Sequence, residues 1–218
     1  MQSMARTVNV MYIPGPYNIK EATALLAFIN KWNFADLITV SQGRLMSNKV
    51  PLLVDAEQNV LYGHFGRTNE QLQALENADD VMVIFSGLHS YISPQWYVSD
   101  GMVPTWNFET VQVKGKASLL DNDGLVRMLE KLTRKHEGDS GTPWTMAALD
   151  ENRREKMLNA IVGFKIEIEH IEGKQKFSQN RSDADRLSVI KALEIQNDQA
   201  AQAMSVLMRT QLDEKMNT

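Results

Sequence analysis

The sequence predicts an α+β protein with a mainly β core, in which a closed or half-closed sheet carries helices at its ends. Two observations support this class. Several short stretches alternate apolar and polar residues at a period of two, most clearly residues 110–119, where Gln112, Lys114 and Lys116 lie on one side. Short helical patterns interrupt these stretches, which is typical of a sheet that closes on itself.

The first part of the chain predicts one helix and four strands. Asn18 and Glu21 have the spacing of a capping box, and apolar residues recur at helical spacing behind them, so we expect a helix over residues 19–31. Strands are expected at residues 34–40, 44–54, 60–65 and 81–85, with turns at 42–43 and 55–59. Pro51 inside the second strand indicates a sheet edge or a bulge. Asn69 can cap a short helix before the fourth strand.

The stretch 85–107 is rich in aromatic residues and contains two prolines. Pro94 and Pro104 each remove a backbone donor, so no helix runs through it and we expect an exposed loop after residue 85. The chain then enters the next strand through residues 105–107. Trp106 and its aromatic neighbours suit a cover over a flat ligand or over a partner subunit. The open alternative is a tryptophan-anchored loop that only closes the core.

The second half predicts two more strands and three helical stretches. The strand at residues 110–119 is followed by helical patterns at 121–135 and 146–160, a long strand at 161–171 and a helical stretch from 182 to about 215. Ser182 begins another helix-start pattern. No internal repeat or linker divides the chain. We therefore expect a main domain over residues 1–181 and a helical C-terminal extension, residues 182–218, packed on it.

Composition excludes several functions. The 218 residues are 43% hydrophobic, enough for one sizeable core, and no apolar run is long enough to span a bilayer. The chain has no cysteine, so disulfides, a thiolate nucleophile and cysteine-ligated metals are excluded. A formal charge of −4 gives no global attraction for nucleic acid, and the basic residues within 174–186 have acidic neighbours that largely cancel them. The start of the chain lacks a secretory apolar core, which fits a cytoplasmic protein.

No familiar catalytic motif is present. The sequence contains no nucleophile elbow, Walker loop, zinc-protease motif or dinucleotide fingerprint. The four histidines are His64, His89, His136 and His170. They lie far apart in sequence, so we expect no metal site.

Three polar clusters remain as candidate binding residues, at positions 63–69, 105–107 and 176–181. The first offers an arginine fork, a hydroxyl and amide donors, which together suit a phosphate dianion. The three clusters supply anion donors, a flat aromatic wall and amide side chains for a heteroaromatic edge, as flavin mononucleotide (FMN) requires. The open alternatives are a capped turn with a surface arginine for the first cluster and a turn that starts the last helices for the third.

Several motifs, in chain order, resemble the PaiB family. They are M-Y-I-P (11–14), P-L-L-V-D (51–55), G-H-F-G-R-T-N-E-Q (63–71), H-S-Y-I-S-P-Q-W-Y (89–97), V-P-T-W-N (103–107), I-V-G-F-K-I (161–166) and I-E-G-K-Q-K-F-S-Q-N-R (171–181). The resemblance covers residues 11–193, and the chain beyond it is similar only as a generic helical tail. Members of this family are described as FMN-binding negative regulators of transcription, named for control of protease synthesis and sporulation.

The resemblance implies an FMN-binding split β-barrel of the pyridoxamine-phosphate-oxidase type, with peripheral helices and a helical C-terminal tail. It also implies a homodimer with two flavins in the interface. The strand with Val50, Leu52 and Leu53 is then expected to offer backbone groups to the flavin ring. The phosphate is expected to be held by His64, Arg67 and Asn69. The partner chain is expected to close the site with the following residues: Trp106, Asn107, Lys176, Ser178, Gln179, Asn180 and Arg181.

Two residues depart from the family pattern. Thr68 follows Arg67 where flavin oxidases of this fold often show a lysine, and this departure implies weaker phosphate binding. Gln175 stands where an aromatic residue is expected in many relatives, which implies a less covered flavin ring.

Three functions remain open from the sequence. The first is a dimeric FMN-binding regulator of transcription, although neither a helix-turn-helix motif nor a basic face supports direct DNA binding. The second is a flavin-dependent oxidoreductase of the same class with an unknown substrate, because hydride chemistry belongs to the flavin and needs few protein groups. The third is a haem-binding split barrel, although no sequence context singles out His64 or His89 as an axial ligand.

Overall fold

The computed structural model describes residues 11–78, 80–138 and 142–216, over which the chain forms seven strands and six α-helices. The strands are β1 (Phe34–Ser41), β2 (Arg44–Pro51), β3 (Leu53–Asp55), β4 (Val60–Gly66), β5 (Val81–Ile92), β6 (Thr105–Leu119) and β7 (Ile161–Lys176). The helices are α1 (Ala22–Lys31), α2 (Gln71–Asn77), α3 (Asn122–Glu137), α4 (Glu151–Asn159), α5 (Asp183–Glu194) and α6 (Gln199–Met216). The predicted α+β class with a mainly β core is confirmed.

The seven strands form one sheet that curls on itself. Their order is β2-β1-β5-β6-β7-β4-β3, so β2 and β3 lie at opposite ends of the sheet. Only Leu52 separates these two strands in sequence. Because one residue spans at most about 3.6 Å, the two ends of the sheet must meet at Leu52. The expected closed or half-closed sheet is therefore confirmed.

The chain forms two compact units. The barrel unit comprises Leu26–Phe85 and Gln112–Ile171, and it includes residues from all seven strands. The helical unit contains α5 and α6 with the ends of β5, β6 and β7; its described residues are 11–25, Ser86–Val111 and 172–216. The expected domain boundary after Arg181 remains a prediction.

The interior of the barrel unit is densely packed around Gly63 on β4. A Cβ atom added to Gly63 would lie 2.7 Å from the Phe164 ring and 2.8 Å from the Leu52 side chain, and both of these side chains are fully buried. The Phe164 ring also packs against the ring of Phe65, with 5.1 Å between centroids. Glycine is therefore required at position 63 by the close approach of its neighbours.

The helix α2 is joined to the barrel through the fully buried side chain of Gln71. Its amide nitrogen donates to the Leu37 carbonyl at 2.8 Å and to the Thr39 hydroxyl at 3.2 Å, and its amide oxygen accepts from the Asn48 side chain at 2.8 Å. A helix at this position was predicted and is confirmed. The hydrogen bonds of Gln71 were not predicted, because its partners lie more than 20 positions away in sequence.

The helical unit has an apolar core of its own. The buried side chains are Ile92, Phe177, Val189, Ile190, Leu193, Ala201, Met204, Met208 and Leu212. Ser182 caps α5 by accepting from the Asp185 amide at 3.2 Å, as the sequence predicted. The Asp185 carboxylate in turn accepts from the backbone amides of Val98 and Ser99, at 3.0 and 2.9 Å. This carboxylate fixes the segment after β5 to the start of α5.

The prediction of a capping box at Asn18 was wrong. Helix α1 begins at Ala22, and Asn18 instead forms a backbone bridge with Lys174 on β7. The neighbouring Ile19 amide donates to the Gly173 carbonyl at 3.0 Å. A pairing over more than 150 positions therefore outweighs the local helix-start pattern.

The prediction of one strand over residues 44–54 was also wrong. The chain breaks at Leu52 because its backbone amide donates to the Asn33 carbonyl at 2.8 Å, outside the strand ladders. Pro51 is the last residue of β2, at one end of the strand order, so the expected sheet edge is confirmed.

Two strands run further than expected, and two helical stretches are broken. Strand β5 continues to Ile92 and β7 to Lys176, so the expected loop after residue 85 is confined to residues 93–104. The stretch at 182–215 divides into α5 and α6, because Asp198 accepts from the Ala200 amide and starts a new helix. The stretch at 146–160 becomes a 3-10 turn followed by the shorter α4, which Asp150 caps.

Candidate functional site

Arg67 follows β4, and part of its guanidinium group donates hydrogen bonds to backbone carbonyls of the protein. Its Nε donates to the Asn159 carbonyl at 2.6 Å and its Nη2 donates to the Ile161 carbonyl at 3.1 Å. Its backbone amide donates to the Ala160 carbonyl at 2.8 Å. A guanidinium carries five N–H donors, so the exposed side chain retains donors for an anion.

Asn69 fixes the connection between β4 and α2. Its side-chain oxygen accepts from the Gln71 amide at 2.9 Å, and its own amide donates to the Gly66 carbonyl at 2.9 Å. Arg67 and Thr68 lie within this turn and are exposed. Hydrogen bonds therefore hold this turn, which carries an arginine and a hydroxyl at its surface; binding of a phosphate there remains a prediction.

The segment with Val50, Leu52 and Leu53 has two buried side chains and one that is half-buried, that of Leu53. The side chains of Val50 and Leu52 are buried at 1% and 0% exposure. Val50 pairs with Ala35 on β1, and Leu53 pairs with Tyr62 on β4. Since β2 and β3 end the strand order, each has one edge that pairs with no other strand of the described residues.

His64 on β4 lies among apolar side chains. It lines a cavity of about 220 Å³, whose other walls come from α3, α4, the start of β7 and the segment before α4. Burial holds the pKa of His64 below its usual value, so the ring is neutral at pH 7. Its Nδ1 is buried and, among the residues that the structure describes, has no hydrogen-bond partner. These surroundings suit a neutral group better than a phosphate dianion.

Four aromatic side chains of the helical unit form what we call the aromatic surface: His89, Tyr91, Trp96 and Trp106. The Trp106 ring meets Tyr91 edge-on with 5.9 Å between centroids, and Tyr91 meets Trp96 at 6.4 Å. Trp106 nevertheless remains 53% exposed. The predicted aromatic wall therefore exists, but three of its four members lie on strands β5 and β6 and only Trp96 lies in the loop.

Asn107, next to Trp106 on β6, points into the interior of the helical unit. It is fully buried, and its amide donates to the Ser178 hydroxyl at 3.1 Å and to the Met208 sulfur at 3.3 Å. The Ser178 hydroxyl donates back to the Asn107 side-chain oxygen at 3.3 Å. Ser178 has a φ of +61°, which is uncommon for a residue with a side chain. Asn107 therefore holds the turn after β7 in its conformation.

This turn is stabilised further by Gln179. Its side-chain oxygen accepts from the Phe177 amide at 2.6 Å, and its side-chain nitrogen donates to the Gln175 carbonyl at 2.7 Å. Both polar ends of Gln179 are therefore engaged within the turn. Asn180, the next residue, is exposed.

Three cations lie along the end of β7 and the turn after it, and we call them the basic cluster: Lys174, Lys176 and Arg181. Lys174 donates to the Tyr12 carbonyl at 3.0 Å, Lys176 donates to the Thr105 hydroxyl, and Arg181 lies 5.8 Å from the centre of the Tyr97 ring. Burial first, and then repulsion from Lys174 and Arg181, holds the pKa of Lys176 below its usual value. In the described part of the chain none of the three forms an ion pair with a carboxylate.

The structure therefore sorts the predicted site residues into two groups. Val50, Leu52, Leu53, His64, Arg67 and Asn69 belong to the barrel unit, and Trp106, Asn107, Lys176, Ser178, Gln179, Asn180 and Arg181 belong to the helical unit. Gln71 and Lys174 support these groups and were not predicted as site residues. The position of Lys174 two residues before Lys176, on the same face of a strand, is the signal that identifies it.

Two further properties bear on function. None of the helices in the described part of the chain combines the length and apolarity that crossing a membrane requires. Within the same residues, no group of three or more histidine, aspartate or glutamate side chains is arranged to hold a metal ion.

Comparison with known proteins identifies relatives of the whole chain. The family described as "Putative FMN-binding domain" matches residues 11–170. The protease synthase and sporulation protein PAI 2 of Bacillus subtilis is 35% identical over 208 residues, which cover 94% of this chain and 100% of that protein.

Two solved structures share the fold. The FAD and heme binding protein of Mycobacterium smegmatis has a TM-score of 0.60 at 14% identity, covering 79% of each chain. The flavocytochrome Anf3 of Azotobacter vinelandii has a TM-score of 0.60 at 14% identity, covering 79% of this chain and 75% of its own. The chain therefore belongs to the PaiB family, with an FMN-binding domain built on a split-barrel fold.

Proposed function

We propose that the protein is a cytoplasmic homodimer that holds FMN at sites shared between its two copies. In this arrangement the barrel unit of one copy supplies the phosphate-binding turn and the strand edge. The helical unit of the other copy supplies the aromatic surface and the turn after β7. Each of the two groups is internally ordered by its own hydrogen bonds, as a preorganised half-site requires.

The observation that carries this proposal is the exposure of Trp106. A tryptophan that is 53% exposed, with two aromatic rings arranged around it, has a large apolar surface that this chain leaves in water. A flavin ring or a second copy of the chain would cover it, and aromatic side chains are enriched where proteins bind flat ligands or partners.

We assign the FMN phosphate to Arg67 and the turn through Thr68 and Asn69. Two guanidinium N–H groups are engaged with backbone carbonyls, which fixes the orientation of the remaining donors towards solvent. We assign the flavin ring to the backbone at Val50, Leu52 and Leu53 and to Trp106 of the second copy. His64 is left out of the phosphate site because its ring is neutral and offers no positive charge to a dianion.

FMN, when bound, supplies hydride chemistry, and the protein binds the cofactor and orients it. Lys176, Asn180 and Arg181 would reach the bound cofactor or a second reactant. Asn107, Ser178 and Gln179 would act by holding the turn that presents them. This assignment requires no acid, base or nucleophile from the chain.

Complementation between two variants tests the shared site. Arg67→Ala and Trp106→Ala should each lower FMN affinity when the variant forms a homodimer with itself. Mixed and reassociated, they should form heterodimers in which one of the two sites contains both native residues. About a quarter of all sites should then recover native affinity, since random pairing makes half of the dimers mixed. No recovery in a mixture that gel filtration shows to contain dimers would refute the shared site.

We propose regulation of transcription as the biological role, because the Bacillus relative is named for protease synthesis and sporulation. Direct repression requires a sequence-specific complex with DNA. A gel-shift assay against promoter fragments, with and without FMN, is the test. Binding without sequence preference and without an effect of flavin would contradict direct repression.

A flavin-dependent oxidoreductase is the second candidate, and the basic cluster favours it. Among the residues that the structure describes, its three cations form no ion pair with a carboxylate, and such cations suit the phosphate groups of a nicotinamide or deazaflavin reactant. Stopped-flow reduction of the FMN-loaded protein by these donors is the measurement. Failure of all of them to reduce the flavin would exclude this candidate.

A further inference from the structure

The cavity next to His64 has the properties of a small-molecule site, and it is lined by none of the residues that we assign to FMN. It lies wholly within the barrel unit and measures about 220 Å³. An apolar cavity of about 150 Å³ is large enough to bind benzene. The cavity here therefore accommodates a substituted single ring or two fused rings.

The walls of the cavity favour a flat apolar ligand. Leu129 on α3 and Leu158 on α4 contribute aliphatic surface, and Trp144 and Met157 contribute an aromatic ring and a thioether. Trp144 is 43% exposed and Met157 is 51% exposed, which is unusual for side chains of this size at the wall of a cavity. A ring inserted between them would remove this apolar surface from water.

One charged group defines what the ring must carry. His64 lines the cavity with a neutral imidazole ring, which adds flat, uncharged surface to its wall. Arg154 on α4 also lines the cavity, its side chain is exposed, and within the described residues it makes no ion pair or side-chain hydrogen bond. A guanidinium in this position matches a carboxylate.

We propose that this cavity binds a small aromatic carboxylic acid, with its ring among Trp144, Met157 and Leu158 and its carboxylate at Arg154. The proposal does not depend on FMN binding or on a dimer. It gives the barrel unit a site for a second type of ligand.

The test uses a matched pair of ligands, indole-3-acetate and indole-3-acetamide, titrated calorimetrically into the full chain. The two molecules have nearly the same shape, but only the acetate carries a charge. We expect saturable binding of both, with the acetate about tenfold tighter. No saturable heat with either ligand, or equal affinity for the two, would overturn the proposal.

Variants then locate the site. Arg154→Gln should reduce the affinity for the acetate to that for the acetamide and leave the acetamide unchanged. Arg153→Gln is the matched control, because Arg153 is the neighbouring exposed arginine of α4 and does not line the cavity. An equal effect of both substitutions would show general charge attraction and overturn the assignment.

Thr133→Trp places a large side chain into the cavity from α3 and should abolish binding of both ligands. An unchanged melting temperature shows that this variant is folded. If Thr133→Trp is unstable, NMR replaces this test. Nuclear Overhauser effects should then be observed between the indole ring and the methyl groups of Leu129 and Met157. Retained binding in folded Thr133→Trp, absence of these effects, or displacement of the indole by FMN would overturn the proposal.

Discussion

Substitution of Gln71 by methionine tests whether one buried amide holds α2 on the barrel. Gln71 is fully buried, and its side chain makes hydrogen bonds to Leu37, Thr39 and Asn48. Methionine has a similar volume but no amide, so the two bonds of 2.8 Å are lost. Each is worth about 1 kcal/mol net, and the buried Thr39 hydroxyl left without this partner adds about 1–2 kcal/mol. We expect the free energy of unfolding to fall by about 3–4 kcal/mol.

The assay is urea denaturation followed by circular dichroism at a fixed protein concentration. The control is Gln73→Met, two positions along the same helix, because Gln73 is exposed and its side chain makes no hydrogen bond within the described residues. It should change the free energy of unfolding by less than about 0.5 kcal/mol. If Gln71→Met and Gln73→Met unfold at the same urea concentration, the reasoning about the buried amide is refuted.

Three further predictions concern the barrel core, the helical unit and the flavin site. Gly63→Ala should destabilise the protein by about 1–3 kcal/mol, because the added methyl group would lie less than 3 Å from Phe164 and Leu52. Gly66→Ala is the control and should be nearly neutral, because its Cβ would meet nothing within 4 Å. Equal urea midpoints for the two variants would contradict the prediction. Burial alone would raise the pKa of Asp185, but hydrogen bonds from Ser99, Ser182 and Val98 outweigh it and hold the pKa below its usual value. The stabilisation that the Asp185 carboxylate provides should thus be present above the unfolded pKa of about 3.9 and be lost as the pH falls through the lower folded pKa. Melting temperatures measured from pH 6 to pH 2 should therefore depend less on acid in Asp185→Asn than in the native protein. An unchanged pH profile would contradict this role of Asp185. Arg67→Ala should weaken FMN binding by about 1.5–3 kcal/mol in a flavin fluorescence titration. Arg44→Ala, which removes another exposed arginine of the barrel unit, should leave the affinity unchanged. Identical affinities for the two variants would show that Arg67 does not bind FMN.

The sequence predicted the elements whose signal is local. The alternation of β6, the turn at residues 42–43 and the cap at Ser182 depend on neighbouring residues, and the structure confirms all three. The short helix after Asn69 is confirmed; Glu70 stands at its N-cap position, and the Asn69 side chain just before it accepts from the Gln71 amide.

The errors occurred where distant parts of the chain decide the local structure. Asn18 pairs with Lys174 instead of capping α1, and Leu52 binds the Asn33 carbonyl instead of continuing a strand. The extension of β5 through the aromatic stretch required knowledge of its neighbour β6 in the sheet. No pattern within a short window contains this information.

The sequence predicted which segments contribute to the candidate site better than it predicted what their side chains contact. The three polar clusters contain most of the predicted site residues, and the aromatic wall at Trp106 exists as expected. The inward orientation of Asn107 and the apolar surroundings of His64 depend on side chains contributed by α6, α3 and α4. Such contacts are set by tertiary packing, so a motif identifies these residues without showing what they face.

The pairing of β4 with the distant β7 also has a consequence for biosynthesis. The hairpin of β3 and β4 leaves the ribosome early, but β4 pairs with β7, whose partner residues follow roughly a hundred positions later. Until those residues emerge, the outer backbone groups of β4 have no partner strand, and this edge is open to pairing with other nascent chains. Slow translation of the helices between β6 and β7 should therefore favour aggregation, and chaperones that shield strand edges should be needed during that interval.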